Sequence, residues 1–142
     1  MKRYLGIDYG EKRIGIAISD PLNITAQPQQ YILNNDIAIE SIMSLTKPLN
    51  ITTLIIGLPK SKIGTDSQKA KEIRQFAKTL TDKENYDIIF QDERYSTVAV
   101  ERTMIQADVS RKKRKEKVDS LAAAFILQGY LDKKQMEQSN GL

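Results

Sequence analysis

Histidine, cysteine and tryptophan are all absent from this chain. Without histidine there is no Ser-His-Asp hydrolysis, no imidazole acid–base chemistry and no imidazole-ligated metal. Without cysteine there are no disulfides, no zinc-thiolate sites and no thiol nucleophile. Long hydrophobic runs are missing too. No segment approaches the roughly 18 apolar residues of a membrane span. Met-Lys-Arg leads directly into a strand pattern with no signal-peptide hydrophobic core. These absences are compatible with the cytosol, and no membrane partner is expected. Catalysis, if any, is left to carboxylates, Lys, Tyr, Ser or Thr, or to a metal held by oxygens, which favours Mg²⁺, Ca²⁺ or Mn²⁺.

What is present suits one domain: 142 residues hold a real core but not two substantial ones. The net charge of +4 is unevenly spread. Arg111-Lys112-Lys113-Arg114-Lys115-Glu116-Lys117 carries six basic residues and one acid, leaving 16 basic and 17 acidic residues elsewhere. The whole basic excess is one heptapeptide. Such a run is either a solvated face or a contact for a polyanion.

Near the N-terminus, Tyr4-Leu5-Gly6-Ile7-Asp8-Tyr9-Gly10 reads as a short strand ending in a carboxylate and a turn. Ile14, Ile16 and Ile18 alternate with Gly15, Ala17 and Ser19, the period-2 pattern of a second strand. Residues 24–33 suggest a third, interrupted at Pro28 as an edge strand or bulge would be. Asn34, Asn35 or Asp36 can cap a helix bearing Ile39, Ile42 and Met43, which Pro48 ends. Residues 51–57 and 87–91 read as strands buried on both faces. Between them Thr65 or Asp66 can cap a helix with the apolar stripe Ala70, Ile73, Ala77, Leu80. Ser96 or Thr97 can cap another reaching about Ala107. The basic run reads as a loop feeding a last helix over 115–134, with a polar tail at 135–142. The expected architecture is one α/β domain over 1–134. Its mixed five-stranded sheet has three antiparallel strands, then parallel ones, with helices on both faces.

Sheets of this kind gather ligands at the carboxyl ends of their parallel strands. Asp8, the loop after Gly57, and Asp92-Glu93 all fall at such ends. Asp119 lies one turn before Ala122 and Ala123, on an apolar helical stripe, where a charge needs a partner or a metal. Its partner could be Arg94 or Lys12. Alternatively Asp8, Glu93 and Asp119 converge, three carboxylates without histidine that suit one or two Mg²⁺ or Mn²⁺ ions and phosphodiester cleavage.

Four motifs then carry a resemblance. Gly6-Ile7-Asp8-Tyr9-Gly10-x-Lys12-Arg13-Ile14-Gly15, Gly57-Leu58-Pro59, Asp92-Glu93-Arg94-Tyr95-Ser96-Thr97 and Lys115-x-Lys117-x-Asp119-x-x-Ala122-Ala123 follow one another as in the YqgF/RuvX family. That family is similar to the RuvC Holliday-junction resolvases. The resemblance implies an RNase H-like fold and a cytoplasmic nuclease that matures the 5′ end of pre-16S rRNA. It makes Asp8, Glu93 and Asp119 the catalytic metal ligands. It gives Lys12, Arg13 and Arg94 phosphate contacts, with Lys112, Lys113, Arg114 and Lys115 reaching further along the nucleic acid. In two places the chain departs from the pattern. Ile63-Gly64 stands where the family commonly has Asp-Gly, and Ser120, Leu121 and Ala122 supply no fourth acid.

Three other readings stand beside this one. They are a resolvase acting on DNA junctions, a non-catalytic RNA- or ribosome-associated factor, and a nucleotide-binding domain of the actin and sugar-kinase type. The last needs a second phosphate loop on a second domain, and the sequence has neither.

Overall fold

Six strands form a single sheet, and each of its faces is covered by different helices. The computed structural model describes residues 2–59, 67–92 and 111–140, with 111–119 and 139–140 described by backbone alone. In chain order these give β1 (Tyr4–Tyr9), β2 (Arg13–Ser19), β3 (Ala26–Pro28), β4 (Ile32–Leu33), α1 (Ala38–Thr46), a 3₁₀ turn (Lys47–Leu49), β5 (Thr53–Leu58), α2 (Gln68–Lys83), β6 (Asp87–Asp92) and α3 (Arg111–Asn140). The sheet order is β3-β2-β1-β5-β6, with β4 also paired to β2. β1 is antiparallel to β2 and parallel to β5, and β5 is parallel to β6. Among the described residues no helix is long and apolar enough to cross a membrane.

The mixed α/β class agrees with the sequence, but the described residues form six strands rather than five. The expected third strand is two short pieces on one edge. Between the pairs Ala17↔Pro28 and Ile14↔Ile32, β2 advances three residues and its partner four. One extra residue on the edge strand is a bulge, and Pro28, which cannot donate to the ladder, marks where it begins.

Side chains alternate cleanly between the two faces. Leu5, Ile7, Ile14, Ile16, Ile18, Leu54 and Ile56 pack against α1 and α2 in one core. Tyr4, Ala17 and Ile55 pack with Ala123, Ala124, Ile126, Leu127 and Leu131 of α3 in another. Residues 54–56 of β5 are fully buried because both faces are covered, which explains their lack of polar alternation. The stripe Ala70, Ile73, Ala77, Leu80 is buried as expected, with Phe76 beside it.

Helix boundaries differ from the sequence reading in informative ways. Ile37 stands at the N-cap of α1 without a side-chain bond, while Asn35 Oδ1 accepts from the Ile37 N–H at 3.1 Å. Ser67, not Thr65 or Asp66, caps α2, its hydroxyl accepting from the Ala70 N–H at 3.1 Å. The expected helix at 96–107 and the loop at 60–64 lie outside the described residues. α3 begins at Arg111 and runs to Asn140, so both the basic run and most of the polar tail are helical. Residues 111–117 are therefore not a loop. Arg, Lys and Glu are good helix formers, and continuity with a well-packed helix outweighs their mutual repulsion.

The seat of α3 depends on Gly6. A Cβ there would lie 2.7 Å from Leu127 Cβ and 2.9 Å from the Ala123 carbonyl oxygen. At the other end of β1, Lys134 Nζ donates to the Tyr4 hydroxyl at 2.8 Å, which raises the lysine pKa above its ordinary value. Its ammonium also lies 5.3 Å from the Tyr4 ring centroid and 5.9 Å from that of Tyr130. Residues 130–134 thus lie at the start of β1 and 123–127 at its middle. The helix runs antiparallel to the strand.

Gly6→Ala should destabilise the fold by about 1–3 kcal/mol through overpacking against α3. Urea denaturation followed by circular dichroism measures this, and an unchanged midpoint would show that α3 can lift without cost.

Candidate nucleic-acid site

Asp8 is the half-buried penultimate residue of β1. Strand alternation puts it on the same face as Tyr4 and Gly6, the face covered by α3. Its neighbours across the ladder carry no side chains there. Gly15 is its register partner on β2, and Gly57 on β5 lies one residue beyond the Ile7↔Ile56 pair. The carboxylate is flanked on both sides by bare backbone, where a bound group can approach closely.

The direction of α3 fixes what lies above this strand end. Ala123 lies over Gly6, and Asp8 is two residues further along β1, roughly 6.6 Å. Asp119 is four residues back along α3, roughly 6 Å in the same direction. The α3 backbone at Asp119 is thereby carried to the level of Asp8. Arg111 lies eight residues earlier still, so the basic turns extend about 12 Å further, past the end of the sheet. No acidic residue occupies the first turn of α3. Six cations therefore sit at the positive end of a helix dipole, an arrangement that an anion would relieve.

β6 reaches the same edge, with Asp92 paired to Leu58. Asp92 shares its pleat face with Ile88 and Phe90, which pack on the α1–α2 core, so it faces away from the Asp8 side. Glu93 and Arg94 lie outside the described residues. Among the described residues no group of three or more acidic side chains is gathered. The described part of the proposed triad consists of Asp8 and the backbone of Asp119.

These donors fit a hard divalent cation in kind. A half-buried carboxylate between two glycines, in a chain without histidine or cysteine, suits Mg²⁺ or Mn²⁺ rather than zinc. Next to Asp119 in the chain, Ser120 is buried to 1% exposure, and its hydroxyl has no hydrogen-bond partner among the described residues.

The basic candidates of the first hairpin are both exposed. A Cβ at Gly10 would collide with the Arg13 carbonyl, so glycine is what lets the turn close. Asn34 ties that turn to the edge strand, its Nδ2 donating to the Gly10 carbonyl at 2.8 Å and its backbone N–H to the Lys12 carbonyl at 2.9 Å. Arg13 alternates with core-facing Ile14 and so shares the face of Gly15 and Asp8. Its guanidinium lies 5.1 Å from the Tyr31 ring centroid. Sequence reasoning missed Tyr31 and Asn34. Neither falls in a motif, and their pairing with residues 10–13 depends on the bulge.

A family model described as "RuvX: Holliday junction resolvase" matches residues 2–133. A protein of Sulfurihydrogenibium sp. (strain YO3AOP1) named "Putative pre-16S rRNA nuclease" is 42% identical over 135 residues, covering 94% of this chain and 92% of its own. One of the same name from Bacillus cereus (strain B4264) is 43% identical over 136 residues, covering 93% and 99%. Among solved structures, the fowlpox virus resolvase bound to Holliday junction DNA superposes with a TM-score of 0.57 at 15% identity, covering 93% of this chain and 98% of that one. RuvC of T. thermophilus with a Holliday junction gives 0.55 at 10% identity, covering 96% and 97%. At such identities these two speak for the fold alone, which is that of the RuvC-like, RNase H-like resolvases. Matched over nearly its whole length by both the family model and its relatives, the chain belongs to the RuvX family.

Proposed function

We propose that this protein is a metal-dependent endonuclease acting on structured RNA in the cytoplasm, and that it processes the 5′ end of pre-16S rRNA. The reading is supported by Asp8 at the carboxyl end of β1 and by the course of the α3 backbone, which from its contact at Gly6 runs over that end and carries the six basic residues of its first turns past it. The name shared by relatives more than 40% identical to this chain supports the choice of RNA.

Asp8, Glu93 and Asp119 would hold one or two Mg²⁺ or Mn²⁺ ions, which supply Lewis-acid activation of water and of the leaving oxygen. The protein's own residues do the rest. Lys12, Arg13 and Arg94 hold phosphates beside the carboxylates. Lys112, Lys113, Arg114 and Lys115 bind the backbone further out, aided by the positive end of the helix. Phosphate contacts alone read RNA and DNA equally, so a DNA junction is the alternative substrate.

With labelled precursor rRNA and a four-way DNA junction as substrates, wild type should cut the RNA only when Mg²⁺ or Mn²⁺ is present. EDTA should abolish cutting. Asp8→Asn should lower the rate at least about 100-fold, since even outer-shell changes at metal sites cost 10–100-fold. Equal cutting by Asp8→Asn, or none by wild type, would defeat the catalytic reading. Cutting of the junction alone would assign the substrate to DNA.

Replacing Lys112, Lys113 and Arg114 together by Ala should weaken RNA binding. It should also flatten the log–log salt dependence by roughly 0.7–0.9 for each phosphate that is no longer neutralised. An unchanged slope would remove the start of α3 from the interface. Binding that weakens while wild type never cuts would favour a non-catalytic RNA-associated factor.

A further inference from the structure

We propose that Arg13 and Tyr31 form a stacking subsite for one unpaired RNA nucleobase beside the Asp8 end of the sheet. The proposal rests on the nuclease reading above and adds to it a determinant of substrate shape. Arg13 begins β2 and Tyr31 immediately precedes β4, the strand piece beyond the bulge. Without the extra residue of that bulge, the edge strand would continue the β3 register and a different residue would lie beside Arg13. Bulges commonly re-aim side chains next to functional sites.

Several observations converge on this pair. The guanidinium carbon lies 5.1 Å from the Tyr31 ring centroid, within cation–π range. Both groups lie on the α3 face. Their chain neighbours Ile14 and Ile32 pack into the opposite core. Arg13 is one pleat repeat, about 6.6 Å, from Gly15, the register partner of Asp8. The hydrogen bonds from Asn34 to Gly10 and Lys12 fix the hairpin turn against the end of β4, so the stack is held before any ligand arrives. Arg13 is exposed, and no carboxylate pairs with it among the described residues. Its charge is available to a phosphate.

A planar cation lying over a phenol ring offers what an unpaired base needs. Bases splayed out of a helix stack on aromatic rings and on guanidinium planes, whereas bases inside a duplex already stack on each other. The subsite therefore selects a phosphodiester next to an unpaired nucleotide, such as a bulge or a single-strand junction. Lys12, exposed in the same turn, holds the adjoining backbone.

The test uses the Asp8→Asn chain, which should bind without cutting, and an RNA hairpin carrying 2-aminopurine at a single-nucleotide bulge. With Tyr31 in place the fluorescence should be quenched by stacking on binding. Tyr31→Phe should retain the quenching. Tyr31→Ala should lose it and weaken binding of the bulged hairpin roughly 5- to 150-fold, the range seen on removing one base-stacking ring. Affinity for a fully paired duplex should not change. Arg13→Lys, which keeps the charge but not the plane, should also lose quenching. Circular dichroism should match across the variants. Quenching and affinity unaltered in Tyr31→Ala would overturn the subsite and leave the nuclease reading intact. An equal loss of affinity for bulged and fully paired RNA would overturn it too, by assigning the pair a structural role. Failure of the parent chain to bind any RNA would overturn both.

Discussion

The close contact of α3 with β1 at Gly6 is the constraint on which the candidate site depends. A glycine in mid-strand usually weakens a sheet. Here it lets the Ala123 and Leu127 positions of the helix come down onto the strand backbone. Because the helix runs antiparallel to β1, that contact sets the level of everything upstream. The α3 backbone at Asp119 is carried to the level of the Asp8 end of the strand, and the basic turns run beyond it. The Lys134–Tyr4 hydrogen bond holds the far end of the same pairing, so the helix is located at two heights along one strand.

The charge pattern follows from that packing. Outside residues 111–117 the chain is close to neutral, with 16 basic and 17 acidic residues. Its basic excess is concentrated in the first turns of α3. The same residues oppose the helix dipole, which makes this the part of α3 most dependent on an anionic partner. The attraction for a polyanion and the local electrostatic tension have one source.

At the same end of β1 the hairpin supplies a second set of groups. Gly10 closes the turn, Asn34 fastens it to the edge strand, and the bulge turns Tyr31 under Arg13. The arrangement puts stacking surface and charge on the face that carries Asp8. A carboxylate corner, a basic helix start and an aromatic platform thus share one end of the sheet, while α1 and α2 serve the opposite face as core.

Much of this was legible in the residues themselves. The alternation of Ile14, Ile16 and Ile18 specified a strand and its buried face, and the unbroken apolar run at 54–56 specified a strand covered on both sides, because side-chain period and burial are local properties. The four ordered motifs identified the family and with it the RNase H-like class. Cap positions were less legible: Ser67 rather than Thr65 or Asp66 closes α2, since neighbouring cap-competent residues compete on fine backbone geometry. Two features were decided only by tertiary structure. The basic run became helix because it continues a segment anchored by its packing on Gly6, Ala17 and Ile55, an anchor that no window over 111–117 contains. Tyr31 met Arg13 because one extra residue shifted the register of an edge strand. Register belongs to the pairing of two segments, and neither segment encodes it alone.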